Sequence, residues 1–306
     1  MPSFFSACVF SIAVLALLPQ SPKSILFIGN SFTFGDGSPV RFYRSSSVAD
    51  LNDEGIGGVP ALFKAFTMQA GLDFDVSLET RGGSGFEFHL ANKQEALSKR
   101  PWDLVVMQGQ STLDLEKHGD PTKIIATSKQ LADFLRARNP KTELYLMATW
   151  SRADQTYPEK GAWFGKPIET MARDVRAGVD KAAANANIPH VIPVGEAWTR
   201  AMKAGIADPN PYDGIDAGKL DLWAQDHYHA STPGYYLEAL VVFGSITGRD
   251  PRTLGESECT AFELGLNRAT TRSLQQVAFD ELAAAGKVAA APAVASKAPQ
   301  RCPSAR

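Results

Sequence analysis

The sequence predicts an α/β protein in which a parallel sheet lies between layers of helices. Four short apolar segments, and one in which apolar and polar residues alternate, are separated by longer segments whose apolar residues recur at helical spacing. Continuous apolar runs of this length are typical of strands that are buried on both faces. Several of them end in glycine or polar residues, which indicates a functional site at the carboxyl edge of the sheet. The predicted strands are residues 25–28, 74–80, 102–107, 143–149 and 190–194.

The predicted helices occupy the intervals between these strands. Residues 59–71 have apolar side chains at helical spacing and stop at Gly71, and residues 122–139 stop before Pro140. Further helices are predicted over residues 168–187, 196–204 and 232–246, the last with Pro233 in its first turn, and one continuous helix over residues 260–285.

Two segments are too long for ordinary connections and predict functional loops. They cover residues 33–58 and 150–167. Aromatic side chains in them could line a substrate cleft or simply anchor the loops to the body of the protein. These residues are Phe42, Tyr43 with the neighbouring Arg44, Tyr157, Trp163 and Phe164.

Length and charge limit the classes of protein to consider. A chain of 306 residues and 33.0 kDa is long enough for one large domain, which we predict over residues 23–286. The net charge of -2 and the sequence pI of about 6.2 give no basic footprint for nucleic acid. A small or neutral partner is therefore expected.

The two ends of the chain differ from the rest. Residues 4–18 are apolar and resemble the hydrophobic region of a secretory signal, so we predict a signal segment over residues 1–22 and export to the periplasm or medium. A buried first element or an uncleaved anchor are the alternatives. Residues 287–306 are rich in Ala and Pro and predict disorder. In an oxidising compartment Cys259 and Cys302 could form a bridge.

The first predicted strand ends in Gly29-Asn30-Ser31. Gly and Asn allow a sharp turn that presents Ser31 at the carboxyl end of the strand. A serine in this position is either the N-cap of a helix or a nucleophile.

A nucleophilic serine needs a base and an acid, and residues 226–229 supply both types. Asp226 precedes His229 by three residues, which lets the carboxylate meet Nδ1 and leaves Nε2 for Ser31. His227 has Ala224 in the corresponding place and no such carboxylate. The alternative is a solvated loop with incidental histidines.

Two other strand ends carry groups that could stabilise negative charge. Arg81-Gly-Gly-Ser-Gly85 follows the second predicted strand, and its glycine N–H groups could hold an oxyanion or simply form a turn. Gln108 and Gln110 follow the third strand, where their carboxamides are either oxyanion donors or hydrogen-bonded loop groups.

This order of strands and motifs resembles the SGNH (GDSL-like) hydrolase family over residues 24–286. The resemblance implies a three-layer α/β/α fold with a five-stranded parallel sheet in flavodoxin-like order. It also implies that Ser31 is the nucleophile, that Gly82 or Gly83 belongs to the glycine block, and that Asp226 and His229 complete the triad. Asn30 stands where the family usually has Asp.

The third block also departs from the usual Gly-x-Asn of the family. Gln108-Gly-Gln-Ser111 is instead similar to the Gln-Gly-Glu-Ser stretch of sialate O-acetylesterase and acetylxylan esterase members. That similarity implies an oxyanion hole made by the N–H groups of Ser31 and Gly83 with Gln108, or in second place Gln110.

The expected function is a serine esterase that needs no metal or organic cofactor. The expected substrate is a small-molecule or carbohydrate ester, with O-deacetylation of a carbohydrate as the first choice. The alternatives are a lipase or thioesterase for longer acyl chains, and a catalytically silent carbohydrate-binding protein of the same fold. We expect no nucleic-acid partner and no stable membrane span after processing.

Overall fold

A computed structural model describes residues 21–289, which form a parallel sheet with helices on both faces. The strand order is β2-β3-β1-β4-β5-β6, and every neighbouring pair is parallel. The predicted α/β fold class is therefore confirmed. The strands are β1 (Lys23–Gly29), β2 (Ala49–Asp50), β3 (Phe74–Thr80), β4 (Leu104–Met107), β5 (Glu143–Ala148) and β6 (His190–Pro193).

The prediction of five strands is wrong by one, because β2 lies within the segment predicted as a loop. This edge strand has two residues, too few to give an alternating pattern in the sequence. It pairs with β3 at Ser77 and Leu78. Without β2, the order of the remaining strands is 2-1-3-4-5, which is the expected flavodoxin-like order.

The predicted helices are present with ends shifted by a few residues, except for the last one. Residues 260–285 form two helices, because Gly265 adopts a φ of 77° and the Asn267 side chain accepts a hydrogen bond from Thr270 N to start a new helix. The described helices are α1 (Ser31–Phe34), α2 (Gly58–Gln69), α3 (Phe86–Asn92), α4 (Gln94–Leu97), α5 (Thr122–Arg136), α6 (Ala153–Thr156), α7 (Glu169–Asn185), α8 (Val194–Lys203), α9 (Thr232–Thr247), α10 (Cys259–Glu263) and α11 (Arg268–Ala284).

Alternate residues of the strands supply two cores, one on each face of the sheet. On β1, Ile25 and Phe27 face the core that includes α2, α9 and α11, whereas Leu26 and Ile28 face the core that includes α5 and α7. Each fully buried side chain of this size contributes about 1.5–3 kcal/mol to the free energy of unfolding. The two cores therefore hold β1, and the turn that follows it, from both sides.

A stack of aromatic rings closes the carboxyl edge of the sheet on the first of these faces. Trp150 follows β5 and stacks on Trp198 of α8 with ring centroids 4.6 Å apart. On its other side it stacks on Phe32 of α1 at 4.3 Å. Each such pair adds about 0.5–1.5 kcal/mol beyond the area it buries. The stack connects α1, the helix that begins at Ser31, to the loop after β5.

The predicted signal segment (residues 1–22) and tail (residues 287–306) lie almost wholly outside the described residues. Cys259 takes part in a disulfide bond, and Cys302 lies outside the described residues, so the bridge between them stays a prediction. Within residues 21–289, none of the helices combines the length and apolar character that a membrane crossing requires.

Helix α9 carries a carboxyl group in an apolar setting. Glu238 is fully buried, and neither of its oxygens has a hydrogen-bond partner among residues 21–289. Burial raises the pKa of this carboxyl well above its ordinary value. Glu238 is therefore neutral in the folded protein at a pH where the unfolded chain would ionise it.

We expect Glu238→Gln to remove a pH-dependent loss of stability. Above the ordinary glutamate pKa of about 4.3, only the unfolded chain releases this proton. The free energy of unfolding of the wild type should then fall by up to about 1.4 kcal/mol per pH unit, until the pH passes the raised pKa of the folded state. Urea unfolding between pH 4 and 8 measures the slope.

The variant should lack this contribution, so its stability relative to the wild type should grow with pH. Glu116→Gln, which changes an exposed carboxyl, is the matched control. Parallel pH dependences for the wild type and Glu238→Gln would contradict the assignment of a neutral, buried carboxyl.

Candidate active site

The parallel register brings three strand ends to one edge of the sheet. β1 lies between β3 and β4, with Gly29 opposite Thr80 and Ile28 opposite Met107. Beyond these pairs the backbone bonds continue from Arg81 N to the Gly29 carbonyl at 3.0 Å and from Gln108 N to the Ile28 carbonyl at 2.9 Å. The segments that begin at residues 30, 81 and 108 therefore lie side by side, as the sequence predicts.

Ser31 is the first residue of α1, and Asn30 is its N-cap. The Asn30 side chain accepts a hydrogen bond from Phe32 N at 3.2 Å. Its amide group donates to the carbonyls of Ser84 at 2.9 Å and Gly109 at 3.2 Å. Asn30, and not Ser31, is therefore the N-cap of α1. The Ser31 hydroxyl makes no hydrogen bond within residues 21–289.

The structure brings Asp226 and His229 together within one tight turn. Asp226 Oδ2 lies 2.6 Å from His229 Nδ1, and Oδ1 accepts hydrogen bonds from the backbone N–H groups of Tyr228 and His229. Burial alone would raise the pKa of the Asp226 carboxyl, but the hydrogen bonds from His229 and the backbone outweigh it and lower the pKa. Asp226 is therefore an ionised acceptor for the imidazole.

His227 occupies a different position from His229. Its backbone has a φ of 55°, and its ring lies against Tyr212 with centroids 4.4 Å apart. This left-handed backbone conformation at His227 turns the chain between Asp226 and His229, the two residues that are in contact.

The imidazole of His229 packs against the helix that begins at Ser31. Its ring stacks on Tyr228 at 4.0 Å and lies 5.8 Å from the ring of Phe32. Nε2 is buried and has no hydrogen-bond partner within residues 21–289. The side chain that faces Nε2 from the segment after α1 is Asp36, whose Oδ2 lies 3.9 Å away.

Tyr235 of α9 fixes the backbone of that same segment. Its hydroxyl contacts the Ser31 carbonyl at 3.2 Å and the Asp36 carbonyl at 3.0 Å. Burial raises the pKa of this phenol well above its ordinary value, so the hydroxyl keeps its proton as a donor. A residue six positions after His229 thereby holds the backbone of the predicted nucleophile.

No hydrogen bond joins Ser31 Oγ to His229 Nε2 in the described part of the chain. Catalytic hydrogen bonds are often long before a substrate binds and shorten in the complex. His229 is thus held at Nδ1 by Asp226, and its ring lies against α1, the helix that begins at Ser31.

The glycine loop is tied to both of its neighbours. Gly83 has a φ of 70°, a conformation that favours glycine. Its carbonyl accepts a hydrogen bond from Gln110 Nε2. Among residues 21–289, neither Gly83 N–H nor Ser31 N–H donates a hydrogen bond to the protein, so both are available to a ligand oxygen.

Gln108 lies beneath the turn rather than open to a ligand. The side chain is 1% exposed, and its oxygen accepts hydrogen bonds from Asn30 N at 3.0 Å and Thr33 Oγ1 at 3.1 Å. Its amide group donates to the Gly109 carbonyl. Gln110 is 8% exposed, and its amide group is engaged by the carbonyl of Gly83. Both carboxamides thus bind backbone groups of the site.

The two predicted loops are mostly anchored by their aromatic residues. Tyr43 and Arg44 both bind Glu263, Tyr157 donates to the Pro209 carbonyl, and Trp163 is buried with its Nε1 on Asp174. Phe42 and Phe164 remain exposed, at 63% and 51%.

Several residues at this edge of the sheet are not predicted as site residues from the sequence. The position of Asn30 before a short apolar segment is a signal for an N-cap and could have been used. Thr33, Asp36 and Tyr235 carry no local signal, because they reach the site only through the tertiary fold. Within residues 21–289, no three or more His, Cys, Asp or Glu side chains are grouped so that they could hold a metal ion.

No protein-family model and no curated protein matches this chain. Several solved structures do, all at low sequence identity. A DUF4886 family protein from Bacteroides uniformis is 19% identical, with a TM-score of 0.61 over 88% of this chain and 97% of its own. An acetyl-xylooligosaccharide esterase from Geobacillus is 18% identical, with a TM-score of 0.51 over 74% and 95%.

A GDSL-like lipase candidate from Parabacteroides merdae is 17% identical, with a TM-score of 0.54 over 75% of this chain and 97% of its own. The chain has the fold of the SGNH (GDSL-like) hydrolases.

Proposed function

We propose that the protein is a serine esterase with Ser31 as nucleophile, His229 as general base and Asp226 as the acid that orients it. The observation that carries the proposal is the position of the His229 ring. Nδ1 lies 2.6 Å from Asp226, and the ring packs on α1, whose first residue is Ser31. The fold of ester hydrolases supports the same reaction class.

In the first half of the reaction, Ser31 Oγ attacks the ester carbonyl while its proton passes to His229 Nε2. The resulting imidazolium is stabilised by the ionised carboxylate of Asp226 at Nδ1. The tetrahedral intermediate then collapses, the ester C–O bond breaks, and His229 gives its proton to the leaving alcohol oxygen.

We propose that the backbone N–H groups of Ser31 and Gly83 receive the oxyanion. Both are free of protein acceptors within the described residues. Removal of one such donor costs about 10² to 10³ in rate in other hydrolases. The contacts of Gln108 and Gln110 support a role for their carboxamides other than donation to the oxyanion. Gln108 orients Asn30, and Gln110 orients the Gly83 peptide.

In the second half, water attacks the acyl group on Ser31. His229 Nε2 takes a proton from this water, the bond from the acyl carbon to Ser31 Oγ breaks, and Ser31 regains its proton from the imidazolium. The acid product leaves, and the enzyme returns to its starting state.

We further propose a carbohydrate acetyl ester as substrate, handled by an exported enzyme. Two exposed aromatic rings support the choice of a carbohydrate ester as substrate. Tyr212, 47% exposed, lies against His227, and Phe42, 63% exposed, lies beside Arg41, which is ion-paired to Asp36. Aromatic faces of this kind stack on sugar rings. The fold shared with an acetyl-xylooligosaccharide esterase is consistent with this choice.

Ser31→Ala should abolish turnover of p-nitrophenyl acetate, because no other group would form the acyl intermediate. A fluorophosphonate should label the wild type on the peptide that contains Ser31 and should not label the variant. Peptide mapping and a release assay measure the two effects.

Ser128→Ala is the matched control, since Ser128 is also buried and its hydroxyl has no partner within residues 21–289. The control should react like the wild type. Full turnover by Ser31→Ala, or a label on another peptide, would refute the nucleophile.

Asp226→Asn should lower kcat by about 10² to 10⁴, because an amide can stabilise the wrong tautomer of His229 and does not stabilise the imidazolium. The folded state should persist, since Asp226 is partly exposed. Steady-state kinetics measure the loss, and circular dichroism checks the fold.

Asp221→Asn serves as the control from the same loop. Its carboxylate accepts a hydrogen bond from Trp223 N, which an Asn oxygen can also accept. Equal losses in both variants would show that the loop, rather than the Asp226–His229 contact, determines the rate.

Acetyl esters should be hydrolysed faster than octanoyl esters of the same alcohol. With an acetylated xylooligosaccharide, Phe42→Ala and Tyr212→Ala should each raise KM by about threefold to tenfold, a loss typical of one stacking contact. Tyr212→Ala should leave the kinetics on p-nitrophenyl acetate unchanged.

Phe262→Ala, which removes a 77% exposed ring on α10, is the control. A preference for octanoyl esters would favour the lipase or thioesterase alternative. Sugar binding without turnover of any ester would favour the silent binding protein.

A further inference from the structure

We infer that Asp36 is a second carboxylate of the acid–base group and that Arg41 regulates its effect on His229. The inference rests on the proposed function, since it concerns the proton that His229 carries during that reaction. Asp36 is a positioning residue in this account, because it acts on the reacting atoms through the imidazole and does not touch them.

The two oxygens of the Asp36 carboxylate face different partners. Oδ2 lies 3.9 Å from His229 Nε2, and Oδ1 lies 2.7 Å from a guanidinium nitrogen of Arg41. A separation of 3.9 Å is too long for a hydrogen bond, so the effect on His229 is one of charge. The imidazole thus has a carboxylate on each side, Asp226 at Nδ1 and Asp36 at Nε2.

The position of Asp36 is set by the residue that performs the attack. The Asp36 N–H donates to the Ser31 carbonyl at 3.1 Å, and the hydroxyl of Tyr235 contacts the carbonyls of both residues. Because the backbone is shared in this way, the distance from Asp36 to His229 is coupled to the distance from Ser31 to His229.

Arg41 is held beside Asp36 by two aromatic rings. Its guanidinium carbon lies 4.7 Å from the centre of the Phe34 ring and 5.5 Å from that of Phe42. The Asp36 and Arg41 side chains are each about one-third exposed, at 35% and 34%. An ion pair with this exposure adds little to the free energy of unfolding. The Arg41–Asp36 pair therefore does not by itself explain why the Asp36 carboxylate lies opposite His229 Nε2.

The charge of Asp36 affects the proton that His229 must take and return. A negative charge within about 4–6 Å stabilises the imidazolium relative to the neutral ring. Arg41 neutralises part of that charge and so limits the stabilisation. Removal of the Asp36 charge and removal of the Arg41 charge should therefore shift the protonation of His229 in opposite directions.

Other charged groups also lie around the imidazole. Asp226 binds Nδ1 from the same loop, and Arg152 lies over the Tyr228 ring at 3.5 Å and is paired with Asp154. Tyr235 contributes no charge, because burial keeps its phenol protonated. Among the described residues, Asp36 supplies the carboxylate that faces Nε2, at a distance of 3.9 Å.

The test compares the acidic limb of kcat/KM against pH for the wild type and two variants, with p-nitrophenyl acetate as substrate. Below this limb His229 is protonated and cannot act as base. Asp36→Asn should move its midpoint to lower pH by about half a unit to one unit, because the charged ring loses a partner. Arg41→Gln should move the midpoint to higher pH by a similar amount, because Asp36 is then unshielded.

The opposite signs separate this role from simple anchoring of the loop. Both variants break the same ion pair, so a structural role would affect both in the same direction and would change kcat without moving the midpoint. Glu263→Gln is the control, since it breaks the Arg44–Glu263 pair that anchors the same loop away from His229. Shifts of equal sign, absent shifts, or a shift in the control would overturn the inference.

A second measurement does not depend on turnover. The same shifts should appear in an NMR titration of the His229 ring in the Ser31→Ala background, with the signal assigned by its loss in His229→Gln. If the shifts are absent while hydrolysis still requires Ser31, the inference fails and the esterase assignment stands. If Ser31→Ala retains turnover, the proposed function fails whatever the titration shows.

Discussion

The side chain of Asn30 connects the ends of three neighbouring strands. It caps α1, donates to one carbonyl after β3 and to one after β4, and receives its own backbone support from Gln108. All these groups are buried or partly buried, where an unpaired carbonyl or N–H would cost about 1–3 kcal/mol. The turn that presents Ser31 is fixed because the three segments that follow β1, β3 and β4 share one set of hydrogen bonds.

This arrangement also gives a physical reason for Asn rather than Asp at position 30. The Ser84 and Gly109 carbonyls both need a donor, and a carboxylate has none. An Asn can accept from Phe32 N and still donate twice. Asn30 and the carboxamide of Gln108 therefore belong to one hydrogen-bond network.

The parts of the fold that could be predicted from the sequence are those with a strong local signal. The longer strands are either apolar runs or, in β3, an alternation of apolar and polar residues, so their ends are predicted to within a few residues. In contrast, β2 has two residues and no pattern. The helix over residues 260–285 was predicted as one because its apolar spacing hides the break at Gly265. Short helices such as α1 have too few turns to show a period.

The candidate site divides in the same way. Asp226 and His229 could be paired from their spacing, because one turn of chain determines their contact. Asp36 and Tyr235 could not, since about 200 residues separate Tyr235 from the two carbonyls that it binds. Gln108 was predicted as a candidate oxyanion donor from its place in a motif, but only the fold shows that its carboxamide supports the turn.

Helix α9 determines how the two halves of the site meet. Almost every side chain over its first three turns is buried, so its position is set by the core rather than by the loop that precedes it. Its N-cap, Ser231, binds the Asp221 carbonyl and fixes one end of the loop that carries His229. One turn later, Tyr235 binds the backbone of Ser31 and Asp36. Because the same rigid helix holds both segments, the imidazole and the serine backbone are positioned by core packing, and the loop itself needs to supply only the Asp226 contact.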